Sequence, residues 1–85
     1  MKKTLLFLSV FLTASLFGQN VYIPDANFKA LLVGNSYINT NGDTEIQVSE
    51  AVAFDGEIMV GYSGIADLTG IESFTAITFL ACGGN

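Results

Sequence analysis

The sequence predicts an α/β fold in which a short N-terminal helical cap precedes the start of a solenoid of short parallel strands. Two observations support this fold class. Apolar residues recur at helical spacing soon after residue 21, and those after residue 56 recur at one fixed longer interval, such as that from Ile58 to Leu80. A fixed interval of this kind is typical of repeat architectures, in which each unit packs only against its neighbours.

The first eighteen residues have the pattern of a secretory signal peptide. Lys2 and Lys3 precede an apolar run over residues 5–17, and polarity returns after Gly18. This run of thirteen residues is shorter than the roughly 20 apolar residues that a membrane-spanning helix needs. We therefore expect a secreted or cell-surface protein with no permanent membrane span, cleaved after Gly18 or, with a better small-residue fit, after Ser15.

Removal of residues 1–18 leaves a strongly acidic chain. Lys29 then stands alone against eight acidic residues, so the net charge is one minus eight, or −7. Such a chain repels phosphate backbones, which excludes nucleic acid as a partner. The sequence has no histidine and only one cysteine, Cys82, which argues against a catalytic triad or an internal disulfide. We expect a protein that is not an enzyme and needs no organic cofactor.

The residues after the signal peptide predict a short helix. Pro24 suits a first helical turn, Asp25 places a negative charge near the positive end of the helix dipole, and Gly34 with Asn35 ends the helix. The apolar run at 51–54 predicts one or two further helical turns. Three side chains share the apolar face of the first helix: Phe28, Leu31 and Leu32.

The residues after 56 become regular when the chain is folded back at an interval of about 22 residues, which is the length of one repeat unit. Positions of like character then coincide in three pairs: Ile58 with Leu80, Val60 with Cys82, and Ser63 with Asn85. The interval falls in the range of leucine-rich repeats, whose units have roughly 20 to 29 residues.

The quoted pattern is Ile77-x-x-Leu80-x-Cys82-x-x-Asn85, with Ile58-x-Val60-x-x-Ser63-x-Ile65-x-Asp67-Leu68-x-Gly70-Ile71-x-x-Phe74 before it. It resembles the secreted bacterial leucine-rich repeat proteins of internalin-like pattern. The opening Ile23-Pro24-Asp25-x-x-Phe28 is similar to the region that precedes their repeats. Asp55 and Ser63 depart from the Leu and Asn of a regular repeat. The chain is thus divided into a signal peptide (1–18), a helical cap with an acidic loop (19–55) and the first repeats (56–85).

The resemblance implies a role for each part of the repeat. Residues equivalent to Ile58 and Leu80 point into the solenoid, residues 65–74 close the other side of the core, and Cys82 is a small buried hydrophobe. Asn85 hydrogen-bonds the backbone of the bend. The outward residues Met59, Tyr62 and Phe79 would lie on a concave binding face, or would be ordinary residues of the first rung. We expect an extracellular protein or glycan ligand, and further repeats of the same chain after residue 85.

The polar segment 39–50 has metal-like spacing. Oxygen donors fall at positions 1, 3, 5, 7 and 12 of a twelve-residue loop: Asn39, Asn41, Asp43, Glu45 (through its backbone) and Glu50. This resembles an EF-hand calcium loop, in which the last residue is a bidentate Glu. The Asn at the first position lacks the usual charge, and Thr44 replaces the glycine of the sharp turn. The alternative is a polar turn that leads into a helix.

Three hypotheses for the function follow. The first is a leucine-rich repeat protein that binds or adheres to an extracellular partner. The alternatives are a calcium-binding structural cap and a small free-standing secreted factor.

Overall fold

A computed structural model describes residues 19–85, so the predicted signal peptide at 1–18 lies outside the described part of the chain. Along these residues the elements are, in order, helix α1 (Ala26–Val33), helix α2 (Val48–Ala53), strand β1 (Glu57–Met59), a 3-10 turn (Ile71–Ser73) and strand β2 (Phe79–Ala81). This small arrangement of two helices and two parallel strands confirms the α/β class.

Helix α1 begins at an aspartate cap. Asp25 is the N-cap residue, and its Oδ1 accepts a hydrogen bond from the Phe28 N–H at 3.0 Å. Pro24 therefore precedes the cap, and its predicted place in the first turn is wrong. Phe28 and Leu32 are fully buried, whereas Leu31 is 42% exposed. The buried stripe of this short helix is narrow, and Leu31 lies about 100° around the axis from Leu32.

Helix α1 ends as expected at Gly34, whose N–H donates to the Ala30 carbonyl at 2.9 Å. Helix α2 begins after Gln47, and the Glu50 carboxylate accepts the Gln47 N–H at 2.9 Å in the manner of a capping box. The predicted helical turns at 51–54 are thus the end of a helix that starts three residues earlier. Phe54 lies directly after its last residue.

The N-terminal residues of the described chain pair with the segment before α2. The Val21 N–H donates to the Ile46 carbonyl at 2.7 Å, and the Val48 N–H donates to the Gln19 carbonyl at 2.8 Å. This antiparallel bridge buries Val21 beside Ile46, which is itself fully buried. The pairing has no alternating pattern in the sequence, because it is only one bridge long.

The two strands form a parallel pair in the register that the repeat predicts. Ile58 stands opposite Leu80, and Met59 stands opposite Ala81, so the partners in each pair are separated by the predicted interval. The ladder continues past the strands, because the Tyr62 N–H donates to the Gly83 carbonyl at 3.0 Å. The predicted interval is therefore confirmed as the register of the sheet.

The core lies between the sheet, α1 and the bend after β1. Ile58 and Val60 are buried from the strand side, and Ile65 and Phe74 are buried from the opposite side. These positions confirm the predicted inward residues of the first strand and the closure by residues 65–74. Cys82 is only half-buried and packs against the edge of the core. It is less buried than predicted, because β2 has a neighbouring strand on one side only among the residues described.

Asn85 ties the two strand segments together. Its Oδ1 accepts the N–H groups of Ser63 at 2.7 Å and Ile65 at 3.1 Å. Its Nδ2 donates to the carbonyls of Val60 at 2.7 Å and Cys82 at 2.8 Å. These four bonds satisfy backbone groups of the bend that the ladder leaves unpaired, as predicted.

Candidate functional site

The outward side of the sheet carries exposed apolar side chains. Met59 is 70% exposed, Phe79 51% and Tyr62 89%. Glu57 pairs with Phe79 in register, so the side chains of Glu57, Met59 and Phe79 lie on one face of neighbouring strands. We call Glu57, Met59, Tyr62 and Phe79 the exposed sheet face. The three residues predicted for the binding face are therefore all solvent-exposed, Met59 and Phe79 on the strands and Tyr62 in the turn after β1.

Tyr62 has an unusual backbone that fixes its position. Its φ is 53°, in the left-handed region that bulky residues seldom adopt. The ring lies against Gly84, where a Cβ atom would overlap the aromatic carbons. Such strained residues are concentrated at functional sites. The sequence does not reveal the contact between this ring and Gly84, because the two residues lie far apart along the chain.

An open cavity of about 410 Å³ lies beside the exposed sheet face. It lies where the chain leaves α2 and enters β1, and Glu57 belongs to both the cavity and the exposed sheet face. We call it the acidic groove. Its lining residues are Asn35, Tyr37, Ala53, Phe54, Asp55, Gly56 and Glu57. No sequence pattern predicted this groove, because its lining comes from residues before and after α2.

The carboxylates differ in how they are satisfied. The side chains of Asp55 and Glu57 make no hydrogen bond and no ion pair with any residue of 19–85. Lys29, the basic residue in this part of the chain, pairs with Glu45 at 2.8 Å. The acidic residues with partners are Asp25, Asp43, Glu45, Glu50, Asp67 and Glu72. Among residues 19–85, the groove therefore holds the two carboxylates that have no internal partner.

Two of the partnered carboxylates have lowered pKa values. Backbone N–H groups of Phe28 and then Ala66 donate to Asp25 and hold its pKa below the usual value. The Thr69 hydroxyl and then its N–H lower the pKa of Asp67 in the same way. Both carboxylates stabilise turns, and neither faces the acidic groove.

The first part of the acidic loop is organised by Asn39 and two Asx turns. Asn39 is only 4% exposed, and its Nδ2 donates to the carbonyls of Val33 at 3.0 Å and Asp43 at 2.7 Å. Oδ1 of Asn41 accepts the Asp43 N–H at 3.1 Å, and Oδ1 of Asp43 accepts the Glu45 N–H at 3.1 Å. Oδ1 of Asn39 is buried and accepts no hydrogen bond from the described residues.

The second part of the loop is organised by Glu50, which is 9% exposed. Its Oε2 accepts the N–H groups of Thr40 at 3.0 Å and Asn41 at 3.3 Å, while Oε1 accepts that of Gln47. Four of the five predicted calcium ligands lie in the loop before α2, and Glu50 lies in the first turn of α2. The side-chain oxygens of Asn41, Asp43 and Glu50 accept backbone N–H groups. No group of three acidic, His or Cys residues within 19–85 is arranged to hold a metal. Calcium binding stays a prediction.

The chain was compared with protein-family models, with curated proteins and with solved structures, and nothing matches. Within residues 19–85, no helix is long and apolar enough to cross a membrane. The resemblance to leucine-rich repeat proteins, the location outside the cell and the lack of enzymatic activity stay predictions.

Proposed function

We propose that this protein is an extracellular binding module built on leucine-rich repeats, and that the exposed sheet face receives a protein partner. The observation that carries the proposal is the joint exposure of Met59 and Phe79 on neighbouring strands and of Tyr62 in the turn after β1. Scattered exposed apolar residues are ordinary, but contiguous groups of them mark interaction sites.

The chemistry of the exposed sheet face suits a protein partner. Tyrosine is enriched among the residues that contribute most to interface affinity, and methionine adapts to irregular surfaces. The position of Tyr62 is already fixed by its backbone and by Gly84, so little conformational freedom is lost when it binds. Burial of this apolar surface would contribute about 25 cal/mol for each Å² removed from water.

The solenoid part of the proposal is supported by half-buried residues in and beside β2. Leu80 and Cys82 pack against the core from one side, and Ile77 does the same just before the strand. A third strand, one further repeat interval along the chain, would cover these side chains and pair with the outer edge of β2. Repeat proteins need roughly three units for stability, and the half-buried side of β2 is the surface that a neighbouring unit of a solenoid would cover.

The binding proposal is tested by changing only the apolar side chains. Wild-type protein is screened against purified extracellular proteins and a glycan array, and the affinity of the strongest binder is measured by surface plasmon resonance. We expect Met59→Ser/Phe79→Ser to weaken binding at least tenfold. Leu31→Ser/Val52→Ser is the matched control, because these side chains are 42% and 49% exposed on the helices. Equal affinity of both double variants would refute the proposal.

A calcium-stabilised cap is the second candidate, and it rests on the buried Oδ1 of Asn39, which has no donor among the described residues. Unpaired buried oxygens are uncommon in folded proteins. Melting temperatures are measured with millimolar calcium and with a chelator. A melting temperature that is higher with calcium for the wild type, but not for Asn39→Ala, would support the candidate. Identical melting curves of the wild type in both conditions would eliminate it.

A further inference from the structure

The acidic groove is the place where this protein can accept a positive charge from another molecule. Asp55 and Glu57 both line it, and neither has a hydrogen-bonding or charged partner in residues 19–85. The sequence contains no arginine, and Lys29 is already paired with Glu45. A cation that neutralises the groove therefore comes from outside these residues.

The groove combines its charge with aromatic walls. Tyr37 is 82% exposed at the rim, and the half-buried Phe54 forms part of the lining. Gly56 permits this arrangement, because a Cβ atom there would come within 2.9 Å of the Phe54 ring. A long basic side chain can lay its methylene groups on such walls while its charged end meets the carboxylates.

Guanidinium fits this combination better than ammonium. It binds carboxylates through parallel N–H donors and stacks on aromatic faces, whereas the lysine ammonium is a compact and strongly hydrated charge. Two carboxylates near one tyrosine supply both kinds of contact. A volume of about 410 Å³ leaves room for a whole arginine side chain.

The groove is continuous with the exposed sheet face through Glu57, which stands opposite Phe79 in the sheet. A partner that covers Met59 and Phe79 therefore also reaches the groove. We propose that the acidic groove binds an arginine side chain of the protein partner that docks on the exposed sheet face. This inference rests on the proposed function and names the charged residue that the partner contributes.

The test uses small probes and the ¹⁵N-labelled full chain. N-acetyl-arginine methylamide is titrated and followed by amide chemical shifts, with N-acetyl-glutamine methylamide as the uncharged probe. We expect the arginine probe to shift the Gly56 and Glu57 amides and to bind at least fivefold more tightly than the glutamine probe. Asp55→Asn/Glu57→Gln should weaken arginine binding at least tenfold.

The control variant is Glu45→Gln/Asp67→Asn, which removes the same charge at residues outside the groove. It should bind the arginine probe like wild type. Tyr37→Ser gives a second test that does not depend on the fold of the double variant, since this exposed side chain contributes little to the core. It should weaken binding about threefold.

Equal shifts with both probes, or unchanged arginine binding in Asp55→Asn/Glu57→Gln, would overturn the inference. Equal losses in the groove variant and in the control variant would also overturn it, because they would report only net charge. None of these results depends on Met59 or Phe79. If Met59→Ser/Phe79→Ser loses partner binding while a probe result overturns the inference, the proposed function holds and only the arginine site in the groove is refuted.

Discussion

Truncation of Glu50 should destabilise the protein more than any other single change in its acidic loop. The carboxylate accepts backbone N–H groups from both ends of the loop: Gln47 at 2.9 Å, Thr40 at 3.0 Å and Asn41 at 3.3 Å. A hydrogen bond to a charged group contributes about 1.5–3 kcal/mol. The amides of residues 40 and 41 belong to exposed residues and regain water in Glu50→Ala. We therefore expect a loss of about 3 kcal/mol in the free energy of unfolding.

This loss is large for so small a chain, whose total stability is of the order of 3–10 kcal/mol. It corresponds to a fall in melting temperature of about 12–24 °C. The assay is urea and thermal denaturation followed by circular dichroism. Glu45→Ala is the control: it removes a half-buried ion pair with Lys29 and should cost at most about 1 kcal/mol. A loss in Glu50→Ala no larger than in the control would refute the assigned role of the carboxylate.

Three further predictions concern the turns. Asn85→Ala removes four hydrogen bonds and should lower the free energy of unfolding in urea by about 2 kcal/mol, whereas an unchanged midpoint would show that water replaces the carboxamide. Gly70→Ala introduces a Cβ atom 2.8 Å from a neighbouring side chain at a φ of 109° and should cost at least about 2 kcal/mol, while Gly83→Ala meets nothing within 4 Å and should melt like wild type. Asp25 and Asp67 have lowered pKa values, so their contribution to stability is complete above the usual aspartate pKa of 3.8 and declines as the pH falls through the lowered values. An acid titration in which the free energy of unfolding does not fall from pH 5 to pH 2 would contradict this.

Much of the fold could be predicted because its main signals are periodic. The repeat interval predicted the strand register, and Gly34 marked the end of the first helix. The exposed positions of Met59, Tyr62 and Phe79 followed from the same register. Their use in binding is a proposal, because exposure alone does not identify a ligand.

The remaining features depend on contacts that no local pattern records. The acidic groove brings together Tyr37, which precedes α2 in the chain, and residues 54–57, which follow it. The sequence shows the polarity of each segment but not that the two segments meet. The role of Glu50 was predicted as a metal ligand or a helix start, and the structure places its oxygens on backbone N–H groups. One residue type suits both roles, since a carboxylate accepts from amides as readily as it binds calcium.

Asp25 has a consequence for protein engineering. The same carboxylate that begins α1 accepts the N–H groups of Ala66 at 2.8 Å and Asp67 at 3.2 Å, and Asn27 donates to the Gly64 carbonyl at 2.9 Å. The helical region and the bend after β1 are therefore joined by groups that lie far apart in the sequence. A chimera that joined residues 19–55 to a foreign solenoid would lose this fastening. A segment transferred to another protein should therefore include residues 64–67. The junction of such a chimera belongs after this bend and not at the start of β1.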